Sequence, residues 1–289
     1  MTDETNRAAR EARVITIREP DCGLTAFIVL DSLVLGPAAG GVRTLPYPSE
    51  AAALADARRL ARAMTMKCAI AGLDAGGGKA VVIDHAGLDR GEAFRRLGDH
   101  VQRLEGAFRT AGDAGTTDAD LVAMASTSAF VHLDGDNLCD AVARGLVACL
   151  SAVCDLREEV SWPEVSVAVQ GCGAIGGAVA RALATAGAEL TLTDVDSERL
   201  SAVQKETGAS AVTPDRFFAT DATVSSPCAL GGVLTPTIAQ SLSSSIVCGA
   251  ANNILASREA EQVLAERRIT MVPDVIASAG AVVAGIART

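Results

Sequence analysis

Val165-Ser-Val-Ala-Val-Gln-Gly-Cys-Gly-Ala-Ile-Gly176, followed by Leu190-Thr-Leu-Thr-Asp194, decides the fold of this chain. An apolar run of strand character ends at Gln170, the glycines follow as G-x-G-x-x-G at Gly171, Gly173 and Gly176, and an alanine-rich helical stretch opens at once. Gly171 permits a tight turn, Gly173 lets backbone approach a pyrophosphate, and Gly176 lets the helix lie close on the strand. The phosphates then meet N–H groups at the helix start, around Ala174 and Ile175. The second strand ends in Asp194, roughly 20 residues on, where a carboxylate accepts hydrogen bonds from both ribose hydroxyls of NAD and repels the extra phosphate of NADP. Alone, the glycine pattern is more often a turn that binds nothing. Strand, glycines, helix, strand and acid in series predict an NAD-binding Rossmann unit.

Working outward, 289 residues accommodate two domains of about 140 each. With 35 acidic against 25 basic residues and a formal net charge of -10, the chain has no electrostatic footprint for nucleic acid or an anionic membrane surface. The polar N-terminus, Met1-Thr-Asp-Glu-Thr-Asn-Arg7, has no apolar signal-peptide core, and no apolar run reaches the ~20 residues of a membrane span. Eight scattered cysteines form no C-x-x-C pair and have no histidine spaced to complete a metal site. They read as reduced, buried residues of a cytoplasmic protein without a metal. His85, His100 and His132 read as surface or packing residues.

The pattern separates the chain into residues 1–137 and 138–289. In the first part, Leu24–Leu30, Ala80–Ile83 and Gly106–Arg109 read as strands, and a helix beginning after Pro48-Ser49 carries Leu54, Ala57, Leu60, Ala61 and Met64 on one face, with Asp56, Arg58, Arg59 and Arg62 on the other. A polar linker at Asp134-Gly-Asp-Asn137 precedes a helix from Ala141 to Val153, which leads through Trp162-Pro163 into the nucleotide unit. Strands at Ala222–Val224, Ser245–Cys248 and Thr270–Val272, alternating with helices, imply a parallel sheet with helices on both faces. The fold class is therefore α/β, with an N-terminal substrate domain and a C-terminal Rossmann domain.

A dinucleotide domain only holds its cofactor, so the chemistry belongs to the first part. Met64-Thr-Met-Lys-Cys-Ala-Ile-Ala-Gly-Leu-Asp-Ala-Gly-Gly-Gly-Lys79 places Lys67 and Lys79 in apolar, glycine-rich surroundings. A desolvated lysine loses its proton near neutral pH, and three glycines leave backbone room for a substrate; the alternative is that both lysines snorkel to the surface. Asp113, in Thr110-Ala-Gly-Asp-Ala-Gly-Thr-Thr117, follows a strand, as catalytic groups commonly do. By itself it reads more readily as a turn residue than as a catalytic one.

These segments, with Gly36-Pro-Ala-Ala-Gly-Gly-Val-Arg43, Ser226-Pro-Cys-Ala-Leu-Gly-Gly-Val-Leu234, Gly249-Ala-Ala-Asn-Asn253 and Pro273-Asp-Val-Ile-Ala-Ser-Ala-Gly280, run in one order across nearly the whole chain. Together they resemble the glutamate/leucine/phenylalanine/valine dehydrogenase superfamily, its leucine and phenylalanine branch above all. The resemblance implies reversible NAD-dependent oxidative deamination of an L-amino acid to its 2-oxo acid and ammonia, in a cleft between the two domains. It casts Lys67 as the partner of the substrate α-carboxylate, Gly40 and Gly41 as the loop closing over that end, Lys79 as the catalytic lysine, and Asp113 as the acid that takes and returns the amino group's proton. It also puts Ala39 beside the substrate side chain, Ala229 beside the cofactor, and Asn252 on the cleft wall near substrate and nicotinamide ribose.

Two departures fall beside the expected nicotinamide pocket. Cys139-Asp-Ala-Val142 stands where the family usually has Ser-Pro-x-Thr, and Val142 can neither donate nor accept a hydrogen bond. Ser278 stands where Asn commonly precedes Ala-Gly-Gly. Two other readings therefore stand beside the leading one: a related dehydrogenase or imine reductase acting on an amino-acid-derived intermediate, and a non-catalytic NAD-binding interaction protein. Ala39 where relatives present leucine, and Gly285 where approximate alignment has valine, predict a roomy pocket for a bulky or aromatic side chain. Short termini lead us to expect a homodimer built through the first domain rather than an octamer.

Overall fold

The computed structural model describes residues 12–133, 138–156 and 165–286; the Asp134–Asn137 linker, Trp162-Pro163 and the N-terminal seven residues lie outside them. The chain divides into two compact units, Met1–Asp136 with Ile286–Thr289, and Asn137–Gly285.

In the first unit the strands are β1 (Arg13–Glu19), β2 (Leu24–Leu30), β3 (Ala38–Ala39), β4 (Val42–Leu45), β5 (Gly76–Ile83) and β6 (Phe108–Arg109). They form a mixed sheet, ordered β1-β2-β5-β3-β6 with β4 also on β5. β1 and β2 run antiparallel, as do β2 and β5, while β3 and β4 lie parallel to β5. The helices are α1 (Glu50–Ile70), α2 (Arg90–Gln102) and α3 (Asp118–Ala125). Ser49 caps α1, its hydroxyl accepting from the Ala52 N–H at 3.2 Å, and so satisfies one of the N–H groups a helix start leaves orphaned. α1 packs Ala53, Ala57 and Ala61 against Phe27, Val29 and Val81 on one face of the sheet. The other face buries Phe94 and Leu97 of α2 and Met124 of α3 with Ile28, Ala80 and Phe108.

Three expectations need correction here. β5 begins at Gly76 rather than Ala80, so the three glycines are strand residues. A Cβ at Gly76 would collide with the Ser32 carbonyl, one at Gly77 with the Thr65 backbone, and one at Gly78 would sit 2.8 Å from the Phe108 ring. Close approach of α1 and the neighbouring strands is what requires glycine. The polar face of α1 is not uniformly solvated either, because the Asp56 side chain is only 13% exposed. The third strand of the first part is confined to Phe108–Arg109, because Gly106 takes a turn conformation at φ 85°.

The second unit carries β7 (Ser166–Gln170), β8 (Glu189–Thr193), β9 (Ser210–Ala211), β10 (Val224–Pro227), β11 (Ile246–Val247) and β12 (Thr270–Met271). They pair in parallel throughout, in the order β12-β11-β10-β7-β8-β9. The sheet order reverses direction between β7 and β10, the switch point where open α/β sheets take ligands beyond their strand ends. The helices are α4 (Leu138–Leu156), α5 (Ala174–Thr185), α6 (Ser197–Thr207), α7 (Pro236–Ser241), α8 (Arg258–Glu266), α9 (Asp274–Ala277) and α10 (Gly280–Ile286). The β10 strand runs later than the expected Ala222–Val224. The Thr223 N–H is spent on the Ser166 hydroxyl, and the ladder pairs Val224 with Val167 through to Pro227 with Gln170. Its small serines suit a tight interior, where the Ser225 and Ser244 hydroxyls pair at 2.8 Å.

Candidate active site

Lys79 sits mid-sheet on β5, its register partner being Val29 of β2. Strand alternation puts it on the same face as Gly77 and Val81, the face covered by α1. Lys79 is 5% exposed and Lys67, in the last turn of α1, is 6% exposed, so neither lysine snorkels to the surface.

Asp113 arrives from a different direction, on the loop after β6. That loop is tied down along its length. The Thr44 N–H donates to the Ala114 carbonyl at 2.9 Å, the Thr116 hydroxyl to the Val42 carbonyl at 2.7 Å, and Arg90 to the Gly115 carbonyl at 2.8 Å. A capping box between Thr117 and Asp120 then starts α3, and Arg90 grips the same Asp120 at 2.5 Å. The outcome is a salt bridge of 2.6 Å from Lys79 Nζ to Asp113 Oδ2. Asp113 is therefore no mere turn residue.

The same oxygen takes a second cation. Arg43 Nε donates to Asp113 Oδ2 at 2.9 Å, while its Nη1 reaches Asp56 Oδ2 at 3.3 Å. Asp56 also accepts from the Tyr47 hydroxyl at 2.8 Å and from Arg59 at 2.6 Å. Sequence reading missed this Arg43–Asp56–Tyr47 extension. Its only signal was Arg43 closing the Gly36–Arg43 segment, and Asp56 stood only as one of the polar residues on the second face of α1. Burial pushes the Lys79 pKa down, Asp113 pushes it back up and Arg43 down again, for a net value below that of an ordinary lysine. Burial alone would raise the Asp113 pKa, but the charges of Lys79 and then Arg43 outweigh it and hold the carboxyl well below the usual range.

Around this pair, Gly40 abuts the Gly78 carbonyl of β5, and a Cβ at Gly41 would lie 3.0 Å from Asp113 Cβ. Ala39 pairs with Gly77 and Arg109. Gly40 and Gly41 thus let β3 and β4 close tightly on the strand and loop that carry the two ionised groups.

In the second unit the glycines divide their tasks. Gly171 adopts φ 98° and lies against Ala229, a Cβ there being 2.9 Å from that of Ala229; a Cβ at Gly176 would strike the Gly171 carbonyl. A Cβ at Gly173 would meet nothing within 4 Å, so this backbone is open to an approaching group. Gly173 caps α5 without a side-chain hydrogen bond, and Ala174 and Ile175 are exposed in the first turn. Free N–H groups at an open helix start fit a pyrophosphate. Asp194 directly follows β8, with Oδ2 accepting from the Cys172 N–H at 2.5 Å and Oδ1 from the Asp196 N–H at 2.8 Å. Each oxygen keeps a further lone pair, which fits acceptance from ribose hydroxyls.

Asn252 is half-buried beyond β11. Its neighbour Asn253 takes φ 54°, donates its N–H to Asp274, and has a buried Nδ2 without a hydrogen-bond partner. Of the two departures, Val142 is 3% exposed in the core and the Ser278 hydroxyl is spent on the Asp274 carbonyl at 2.5 Å. Among the described residues no helix is long and apolar enough to cross a membrane, and no group of three or more His, Cys, Asp or Glu is placed to hold a metal ion.

Comparison with known proteins matches residues 11–129 to the family described as Glu/Leu/Phe/Val dehydrogenase, dimerisation domain, and residues 189–286 to Glutamate/Leucine/Phenylalanine/Valine dehydrogenase. A phenylalanine dehydrogenase of Caldalkalibacillus thermarum is 38% identical, covering 96% of this chain and 79% of the relative. A leucine dehydrogenase of Geobacillus stearothermophilus is 35% identical, covering 94% and 76%. The crystal structure of L-tryptophan dehydrogenase from Nostoc punctiforme superposes with a TM-score of 0.79 at 33% identity, covering 97% of this chain and 82% of that one. With both family matches in chain order and relatives this similar over most of their length, the chain belongs to the glutamate/leucine/phenylalanine/valine dehydrogenase family.

Proposed function

We propose that this protein is an NAD-dependent dehydrogenase that deaminates an apolar L-amino acid oxidatively to its 2-oxo acid and ammonia, and runs the reverse reductive amination. The observation that carries the reading is the 2.6 Å contact between a buried Lys79 and Asp113. Lys67 pairs with the substrate α-carboxylate, a charge-assisted contact that orients Cα, and Gly40 and Gly41 close over that end. Gly171, Gly173, Ala174, Ile175, Gly176 and Ala229 would hold NAD, with Asp194 towards its ribose, and the bound cofactor would supply the hydride acceptor for the substrate Cα. Asp113 takes a proton from the substrate amine. Lys79, neutral, takes a proton from the water that attacks the imine carbon; Asp113 then returns its proton to the amino nitrogen, and as the C–N bond breaks and ammonia departs the carbinolamine hydroxyl releases its proton to solvent and becomes the carbonyl, its oxygen stabilised by the Lys79 ammonium. Asn252 lines the substrate and nicotinamide side.

NAD rather than NADP follows from Asp194, whose charge opposes a 2′-phosphate. The small side chain of Ala39 and the likeness to a tryptophan dehydrogenase support a bulky or aromatic substrate. The free cysteines support a reducing, cytoplasmic setting, and the dimerisation-domain match supports a homodimer. The test is NADH formation with a panel of L-amino acids at alkaline pH, and NADH consumption with 2-oxo acids plus ammonium. Turnover of branched or aromatic substrates is expected. The Val142 and Ser278 departures favour a second reading, reduction of an amino-acid-derived imine. NADH consumption with a preformed cyclic imine, and none with any 2-oxo acid plus ammonium, would establish it in place of the first.

A further inference from the structure

We propose that Arg43 is the positioning residue of the Lys79–Asp113 pair: it holds the carboxylate oxygen that receives Lys79 Nζ, is itself held by Asp56, and through its permanent charge sets the pair's proton affinity. The inference rests on the proposed amino-acid dehydrogenase reading and deepens it.

Arg43 spans two carboxylates, Nε on Asp113 Oδ2 at 2.9 Å and Nη1 on Asp56 Oδ2 at 3.3 Å. Its side chain is 17% exposed and that of Asp56 13%, so solvent screens this charge little. The charged and titratable groups meeting here are Lys79 from β5, Asp113 from its loop, Arg43 from β4, Tyr47 just beyond β4, and Asp56 and Arg59 from α1. Guanidinium cannot lose its proton in a protein. A fixed positive charge shared through one oxygen disfavours the ammonium form of Lys79 and favours the carboxylate of Asp113, and both pKa values move down in response to it. Neutral lysine beside ionised aspartate is the state that takes a proton from water. Arg43 widens the pH range over which that state exists. Asp56 opposes it, since its negative charge favours protonated Lys79.

The test is the pH profile of kcat/KM for amino-acid oxidation in Arg43→Gln, Arg43→Lys and Asp56→Asn. With Arg43→Gln the limb on which activity rises with pH moves up by about one pH unit. Arg43→Lys stays near the parent position, and Asp56→Asn, which leaves the arginine unopposed, moves the limb down. The fall in kcat at neutral pH exceeds any change in KM, because the substrate carboxylate rests on Lys67. Arg43→Gln losing activity by the same factor at every pH, Arg43→Lys titrating like Arg43→Gln, or Asp56→Asn moving the limb upward would each overturn the proposal. Should Arg43→Gln not fold, Asp56→Asn and Arg43→Lys still decide it. Heteronuclear NMR titration of the lysine ε-methylene groups, with Lys79 assigned by its loss in Lys79→Ala, reads the same shift without turnover. An inactive parent whose Lys79 titration still moves up in Arg43→Gln would refute the dehydrogenase reading and leave the Arg43 role standing.

Discussion

Lys79, buried, and Asp113, half-buried, form an ion pair whose two halves want different things. Burial favours neutral lysine, while the carboxylate favours its cation. Lys79→Ala and Asp113→Asn are therefore expected to reduce turnover by about 10²–10⁴-fold or more, the range for losing a positioned acid or base, while NADH affinity by fluorescence titration stays within a few-fold. Full activity in Lys79→Ala would refute its role. The same pair predicts a pH-dependent stability. The Asp113 pKa is depressed on folding, so its contribution is present above the unfolded value of about 4 and is lost as pH falls through the folded value. Asp113→Asn leaves Lys79 and Arg43 without their shared partner, at a cost of about 3 kcal/mol at neutral pH. Denaturant titrations should show that gap closing in strong acid, where the parent residue is itself protonated. A gap independent of pH would contradict this. Asp194→Ala should weaken NAD binding by about tenfold, corresponding to one charge-assisted hydrogen bond, and a preference for NADPH in the parent would overturn the ribose assignment.

At the scale of elements, β5 is the strand on which the active pair depends, and its glycines are explained by what packs on them. Gly77→Ala would drive a methyl group into the Thr65 backbone of α1, an overpacking expected to cost about 1–3 kcal/mol in thermal or denaturant unfolding. A variant as stable as the parent would mean that α1 yields easily there. The loop bearing Asp113 depends on helix-start chemistry: Thr117→Ala removes one half of the α3 capping box and about 1 kcal/mol of stability. β1 was not legible in the sequence. It is an edge strand in which Ile17 alone is buried, and an edge with one covered position shows no clear apolar alternation. The glycine run was not legible as part of the β5 strand, because glycine weakens a strand pattern and marks both a turn and a close backbone approach; only the neighbours Thr65, Ser32 and Phe108 show the close approach.

For the whole molecule, two proposals remain open to measurement. A homo-oligomer defaults to two-fold symmetry, so light scattering at micromolar concentration is expected to give twice the chain mass. A monomer or an octamer would contradict it. A larger apolar substrate is expected to gain about 0.8 kcal/mol per CH₂ buried beside the small Ala39 side chain. kcat/KM should therefore rise from alanine and valine toward leucine, phenylalanine or tryptophan, and the reverse order would refute a roomy pocket. Gly285, where a Cβ meets nothing within 4 Å, offers a probe. Gly285→Val should cost little stability, and a selective loss of the bulkiest substrates would tie this position to the side-chain pocket.

What the sequence determined by itself is what short-range physics encodes. The apolar run, the glycines that accept positive φ or close contact, the helix start at Ser49 and the acid just past β8 all depend on residues within a turn or a strand of one another, and all are present. The buried environment of the lysines was legible too, because polar neighbours are absent from their segment. Only the tertiary structure decided which ions meet. Arg43 and Asp113 are 70 residues apart, and Lys79 and Asp113 are 34 apart. Their contacts exist because β3, β4 and β5 lie in one particular register and the Asp113 loop is pinned beside them. Asp56 turned inward for the same reason: a carboxylate follows the nearest buried cation, and where that cation sits is settled by packing between distant segments.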